Sequence, residues 1–347
     1  MQWRTLSTLG GTSEDDNRAQ SSSSWRPMSR FAFVFPGQGS QAVGMGRALA
    51  DASPAAAAVF SEADAALGEP ISRLAWDGPA EQLDRTENAQ PALLATSIAY
   101  LAALRERWAA AGTANEPAFV AGHSMGQYSA LVAAGVVSLA DAIRLVRERG
   151  VRMQASGEGR DGAMAAILGL DDEHIPELVA EASTIGVFGV ANRNAPGQIV
   201  VSGERAVIEA AAEIAKRLGA RKAIVLPVSV AAHSPLMAAA ADGMREVLRD
   251  VRFVDPVPPL LANADAHELA TGGACRAELV EHLTTGVDWI AAIEHMAAAG
   301  VTTFIEVGPG RVLTGLIKRI APTADAIPLD DPAAADRLAI PFLPAPA

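Results

Sequence analysis

The sequence predicts an α/β protein, a parallel-sheet body carrying a small inserted unit. Three observations support this. Half of the 347 residues are hydrophobic but only 5% are aromatic, so the apolar mass is mostly Ala, Val and Leu. That composition suits helices packed on a buried sheet better than an all-β architecture. Short apolar runs alternate with segments of helical period, as in βαβ crossovers. Near the middle of the chain the order changes to β-α-β-β-α-β, the split βαβ pattern.

The elements follow in order. Phe31–Phe35 is a short apolar run stopped by Pro36-Gly37, a strand and turn. Residues 91–111 place apolar side chains at helical spacing and end at Gly112. Residues 118–121 form a short strand, a helix follows from Ser124, and residues 139–154 form a second helix. Next come a strand at 163–169, a helix at 172–183, a strand at 187–191 and a turn at 194–197. A strand at 199–202, a helix at 204–218 and a strand at 222–226 complete a ferredoxin-like βαββαβ unit, expected over 161–227. The body, expected over 31–160 and 228–325, resumes with a helix from Pro235 and a strand near 259–262. Helices over 275–299, a strand at 302–307 and a last helix from Arg311 follow. Residues 1–30, with a serine run at 21–24 and no apolar core segment, read as a disordered tail rather than a secretory signal. Residues 326–347, rich in Ala, Asp and Pro, read as a second tail.

Charge and cysteine usage exclude several function classes. Lys+Arg is 28 and Asp+Glu is 40, and 28 − 40 gives −12. Nucleic-acid binding needs a basic surface, so no nucleic-acid partner is expected. Cys275 stands alone, which excludes an internal disulfide or a multi-cysteine metal site and fits a reducing compartment. No uncharged apolar run reaches about 18 residues, so no membrane span is expected.

The strongest chemical signal is Gly122-His123-Ser124-Met125-Gly126, a G-x-S-x-G pattern between an expected strand and an expected helix. Glycines there allow a sharp turn that lifts Ser124 off the sheet, and the helix N-terminus offers free N–H groups to a developing oxyanion. A nucleophilic serine needs a base. Of the six histidines, His174 and His267 lie in polar segments, and His123 is too near the serine in sequence and reads as packing. His233 follows a strand-like run and precedes Ser234-Pro235, which places it on a loop at a strand end, where catalytic groups of open α/β sheets gather. It is the expected base. On the helix 139–154, Ala142, Leu145, Arg149 and Met153 share one face. An arginine on that stripe either snorkels to solvent or meets an anion, and periodicity leaves the two open.

Six segments then occur in a telling order: Phe33-Val-Phe-Pro-Gly-Gln-Gly-Ser-Gln41, Gly122-His-Ser-Met-Gly126, Arg149-Gly-Val-Arg-Met-Gln154, Ala191-Asn-Arg-Asn-Ala-Pro-Gly-Gln198, Leu226-Pro-Val-Ser-Val-Ala-Ala-His233 and Glu306-Val-Gly-Pro-Gly310. As a set, from about Phe31 to Ile320, they resemble the malonyl-CoA:acyl carrier protein transacylase family of fatty-acid and polyketide synthesis. The resemblance implies an α/β-hydrolase-like body around the ferredoxin-like insert. It implies that Ser124 is the acylated nucleophile, His233 its base and Arg149 the partner of the malonyl carboxylate. It implies that the backbone N–H groups of Gln38 and Met125 form the oxyanion hole. In the family a main-chain carbonyl orients the histidine, supplied by a glutamine where this chain has His282. Gln127 stands where many members have glutamate. Asn192 either lines the acyl pocket or caps a turn, and His123 and His282 are further pocket candidates.

The implied reaction is transfer of a malonyl group from malonyl-CoA to the phosphopantetheine thiol of acyl carrier protein through a malonyl-serine. No metal or redox cofactor is implied, since CoA and phosphopantetheine are substrates. A cytoplasmic monomer is expected. Two other classes share parts of the pattern. A serine hydrolase would have the elbow but no use for Arg149, and an inactive carrier-binding scaffold would not need Ser124, His233 and Arg149 together. An acidic carrier protein would require a local basic patch. Candidates are Arg311, Lys318 and Arg319 on the last helix and Lys216, Arg217, Arg221 and Lys222 on the insert, unless these are ordinary solvated faces.

Overall fold

The computed structural model describes residues 30–157, 161–226, 228 and 230–339. The chain opens with β1 (Phe31–Phe35), α1 (Arg47–Ala52), α2 (Pro54–Leu67), α3 (Ile71–Asp77), α4 (Ala80–Leu83) and α5 (Thr86–Ala110). It continues with β2 (Phe119–Gly122), α6 (Gly126–Ala133), α7 (Leu139–Gly157), β3 (Gly162–Leu168), α8 (Ile175–Ser183), β4 (Phe188–Ala195), β5 (Gln198–Glu204), α9 (Arg205–Arg217) and β6 (Lys222–Val225). After these come α10 (Ala238–Leu248), β7 (Leu260–Leu261), β8 (Glu268–Leu269), α11 (Gly272–Glu281), β9 (Val287–Asp288) and α12 (Trp289–Ala298). The last elements are β10 (Thr303–Val307), α13 (Val312–Ile320), β11 (Asp325–Leu329) and α14 (Pro332–Ala339).

Two mixed sheets organise these elements. The first has the order β11-β10-β1-β2-β7-β8. Its pairs are parallel from β11 through β7, and only the β7–β8 hairpin is antiparallel. Every residue of β1 is buried, the mark of a central parallel strand covered on both faces. One face packs on α5, α6 and α7 with Leu93, Tyr128, Leu131 and Ile143. The other packs on α12 and α13 with Trp289, Ile293, Met296 and Ile317. Helix α5 is buried on nearly all sides, and α7 crosses it closely. Gly150 makes that crossing possible, because a Cβ there would meet Glu87 Cα at 2.6 Å.

The second sheet has the order β6-β3-β5-β4-β9. Strands β3 to β6 pair antiparallel, with α8 and α9 on one face over Ile167, Leu178, Val201 and Ile208. The segment expected over 161–227 therefore has the β-α-β-β-α-β order, but its sheet is not closed within it. β9, a strand of two residues from the body, pairs parallel with β4 as a fifth strand. The expected turn at 194–197 is shorter, with β4 running to Ala195 and β5 starting at Gln198.

The largest correction concerns residues 326–347, which composition reads as a tail. β11 adds a parallel edge strand to β10, and α14 buries Ala334, Ala335 and Leu338 against the body. Tyr100 Oη donates to Asp330 O at 2.6 Å, and Trp108 Nε1 to Leu338 O at 3.3 Å. Pro328 masks the strand in the sequence but is tolerated at a sheet edge. The expected tail at 1–30 lies almost wholly outside the described residues, as do 340–347. No helix of the described residues is long and apolar enough to cross a membrane.

Candidate active site

Strand β2 ends at Gly122 and α6 begins at Gly126, so Ser124 sits in the turn between them with φ of 53°. The flanking glycines are required by contact. A Cβ on Gly122 would lie 2.0 Å from Gly126 C, and one on Gly126 would lie 2.2 Å from Phe35 O. His233 is also left-handed, with φ of 58°. Of the three non-glycine residues with positive φ among those described, two are therefore paired in this site.

Ser124 Oγ lies 2.7 Å from His233 Nε2. His233 Nδ1 faces two main-chain acceptors, His282 O at 2.7 Å and Thr285 O at 3.0 Å. Two acceptors at Nδ1 fix the proton there, which leaves the Nε2 lone pair to accept from the serine hydroxyl. Burial lowers the His233 pKa to about 3, the Arg149 charge adds to that, and the carbonyl hydrogen bonds oppose it. The imidazole is thus neutral at pH 7.

Arg149, 1% exposed, reaches the same oxygen from α7. Its Nη2 donates to Ser124 Oγ at 3.1 Å and its Nη1 to Gln90 Oε1 at 2.9 Å, while Nε has no partner. The guanidinium does not snorkel to solvent: it points into the site, onto the uncharged oxygens of Ser124 and Gln90. Burial lowers its pKa, opposed by Tyr128, but a guanidinium stays charged. The N–H groups of Gln38 and Met125 donate no hydrogen bond to the described residues, and Met125 is the N-cap of α6, where N–H groups are open. The Gln38 side chain donates to Thr86 Oγ1 at 3.3 Å.

The remaining expected residues take diverse places. His123 turns away from the serine, with Nε2 2.9 Å from Asn194 Oδ1 and its ring edge-on to Trp289. Asn192 lies buried inside β4, in register with Val287 of β9, so it does not cap the turn. The His282 ring is fully buried with neither nitrogen hydrogen-bonded, and its Nδ1 is 4.0 Å from Glu278 Oε1. Gln127 donates to Leu261 O at 2.8 Å and accepts from Gly122 N at 3.3 Å, ties that need an amide. Sequence reasoning missed Gln90, Thr285 and Asn263. Among the described residues one set of metal-type side chains gathers, Asp171, Glu173 and His174, at the start of α8 and apart from the elbow.

The arrangement can perform covalent acyl transfer. It has a hydroxyl polarised between an imidazole acceptor and a guanidinium donor, beside free N–H groups at a helix start. Comparison with known proteins agrees in chemistry. Residues 32–328 match the family described as the acyl transferase domain. The chain is 46% identical over 307 residues to the malonyl CoA-acyl carrier protein transacylase of Escherichia coli K12, covering 88% of this chain and 98% of that one. It is 44% identical to the protein of that name from Bacillus subtilis strain 168, covering 88% and 95%. A crystal structure of an acyl carrier protein S-malonyltransferase from Vibrio cholerae O1 superposes with a TM-score of 0.85 at 42% identity, covering 89% of this chain and 99% of that one. A malonyl-transacylase in complex with its type II PKS acyl carrier protein superposes with 0.83 at 42% identity, covering 88% and 98%.

Proposed function

The chain belongs to the acyl transferase domain family, and from that premise we propose that it moves a malonyl group from malonyl-CoA to the phosphopantetheine thiol of acyl carrier protein. The observation that carries the reading is one oxygen with two partners: Ser124 Oγ lies 2.7 Å from His233 Nε2 and 3.1 Å from Arg149 Nη2. A base on a serine serves any acyl transfer. A buried, permanently charged guanidinium beside it serves an acyl group that carries its own anion.

Ser124 Oγ attacks the malonyl thioester carbon as its proton passes to His233 Nε2, and the His282 and Thr285 carbonyls hold the imidazolium. The carbonyl oxygen, now an oxyanion, takes the N–H groups of Gln38 and Met125. The tetrahedral intermediate collapses, His233 returns the proton to the CoA sulfur, and a malonyl-serine ester remains. The carrier thiol repeats the sequence in reverse. Arg149 exchanges its bond to Ser124 Oγ for the malonate carboxylate. That pairing cancels the charge that opposes a proton on His233, so the base strengthens when the correct acyl group is present. CoA and phosphopantetheine act as substrates, with no metal or redox cofactor in any step. The same reading takes residues 161–227 as a ferredoxin-like subdomain on an α/β-hydrolase-like body, in a cytoplasmic monomer. Asn192 and His123 then border the acyl pocket on the subdomain side.

Intact mass after mixing with malonyl-CoA and with acetyl-CoA tests the reading. Wild type should retain one malonyl group, and Ser124→Ala none while staying folded. Arg149→Ala should malonylate roughly thirtyfold to a few thousandfold more slowly, since truncating one partner of a buried charge pair costs ~2–5 kcal/mol and 1.4 is tenfold. Its acetylation should fall far less. A malonyl adduct on Ser124→Ala, or equal losses for both acyl groups in Arg149→Ala, would overturn it.

A further inference from the structure

The serine elbow is held from outside by a residue that neither motif nor periodicity marks. Asn263 follows β7 in a turn and is 4% exposed. Its Oδ1 accepts the Ser124 N–H at 2.9 Å, and its Nδ2 donates to Gly122 O at 3.1 Å. One side-chain amide therefore spans the first half of the elbow, on both sides of His123. β2 and β7 pair only at Val120 and Leu260, so the amide takes over where the strand ladder ends.

The Asn263 backbone is itself fixed at both ends. Its N–H donates to Glu278 Oε1 at 2.7 Å, and its carbonyl accepts from Asp288 N at 2.7 Å. Glu278 belongs to α11, one helical turn before His282, whose carbonyl holds His233. The last turn of α11 thus fixes both partners, the base directly and the nucleophile through Asn263. Burial pushes the Glu278 carboxyl pKa up and the Asn263 N–H opposes the rise.

We infer that Asn263, seated by Glu278, is the positioning residue that holds Ser124 in its left-handed conformation with Oγ on His233 Nε2. It touches no substrate in this role. A non-glycine residue at φ of 53° persists only where its surroundings over-determine it, and two hydrogen bonds from one rigid amide do that. The inference rests on the acyl-transfer reading above.

The test is the rate of malonyl-serine formation against malonyl-CoA concentration, in full-length wild type, Asn263→Ala, Asn263→Asp, Glu278→Ala and the Asn263→Ala/Glu278→Ala pair. A displacement of about 1 Å at a reacting atom costs on the order of a hundredfold. Asn263→Ala should therefore acylate roughly tenfold to hundredfold more slowly with the half-saturating malonyl-CoA concentration unchanged. Glu278→Ala should slow the step less. It should slow it no further in the Asn263→Ala background, because it acts through that side chain. If Asn263→Ala does not fold, Asn263→Asp carries the test. It keeps the shape and the acceptor for Ser124 N–H but loses the donor to Gly122 O, and should still slow acylation. A folded Asn263 variant that acylates at the wild-type rate, or Glu278→Ala losses that simply add, would overturn the inference. Wild type that takes up no malonyl group would instead overturn the functional reading, so the two failures are distinct.

Discussion

The residues proposed for catalysis are held in conformations and charge states that they would not adopt alone. Ser124 and His233 are left-handed, at a cost of about 1–3 kcal/mol each. His233 and His282 are buried and His123 is half-buried, with desolvation as the first cause lowering each pKa. His282 isolates the consequence for stability. In the unfolded chain it takes a proton below about pH 6.5. In the fold its pKa lies well below that, lowered by burial and by the Arg149 and His233 charges, against a Glu278 oxygen at 4.0 Å. The unfolded state therefore binds more protons, and this residue removes stability as pH falls below about 6.5. His282→Gln deletes that penalty and keeps the carbonyl that His233 needs. Relative to wild type, the variant should gain up to about 1.4 kcal/mol per pH unit below that value. Its acylation rate at neutral pH should stay within a few-fold. Paired unfolding curves at pH 7.5 and 5.5 check this, and an offset that does not change with pH refutes it. The residues legible in the sequence were those with a local signature: a serine between glycines, a histidine before a helix start, an arginine on an apolar stripe. Gln90 had none because α5 is buried nearly all round and shows no stripe. Asn263 had none because a lone amide in a turn reads as punctuation.

Among elements, long periodic ones are where sequence and structure meet. The helix expected at 139–154 is α7, and the strand expected at 302–307 is β10. Elements made by pairing rather than pattern escape. β9 has two residues and exists because β4 needs an edge partner. β11 reads Asp-Ala-Ile-Pro-Leu, with neither clean alternation nor a long apolar run, yet it forms because β10 presents a parallel edge. The motif at Glu306 has an element-level role. Its buried carboxylate accepts from Leu313 N at 3.0 Å, Thr314 N at 2.7 Å and Thr314 Oγ1 at 2.6 Å, which anchors the start of α13. α14 is held by its buried face on α5. Leu338, 3% exposed, packs there, and its carbonyl takes the Trp108 indole N–H. Leu338→Ala should therefore destabilise by ~2–5 kcal/mol, the range for a buried leucine truncation. Malonyl-serine formation at 25 °C should be unchanged, since α14 contributes nothing to the site. Denaturant unfolding measures it, and a loss near zero would return residues 332–339 to the tail that composition suggested.

At the scale of the whole molecule the net charge is −12, so attraction to an acidic carrier protein must come from a local patch. Ion pairing prunes the basic candidates. Lys216 pairs with Glu213, Arg217 with Glu181 and Arg311 with Asp330, so each charge is largely spent within the protein. Among the described residues, Lys222, Arg221 and Lys318 form no ion pair and are exposed, and Arg319 bonds only to uncharged oxygens of Gln198 and Pro196. Arg221, Lys222 and Arg319 lie at one end of the second sheet, and Lys318 precedes Arg319 on α13. Leu168 is in register with Gln198 on one side and Lys222 on the other, which puts Lys222 two strand spacings, about 10 Å, from the glutamine that Arg319 holds. These positive charges, none of them in an ion pair, form a local basic patch beside the exposed Asp171 and Glu173. Such a patch acts on the carrier protein and not on the chemistry at Ser124. Lys222→Glu and Lys318→Glu should each slow transfer from malonyl-serine to carrier protein several-fold and leave acylation by malonyl-CoA unchanged. Salt should slow the same step in wild type, because exposed charges are screened beyond ~8–10 Å at ordinary ionic strength. It should slow the double reversal less, since less attraction remains to screen. Rates of the second half-reaction against salt, in wild type, both single variants and the double variant, decide it. A transfer rate indifferent to both salt and reversal would mean the carrier protein docks elsewhere on the molecule.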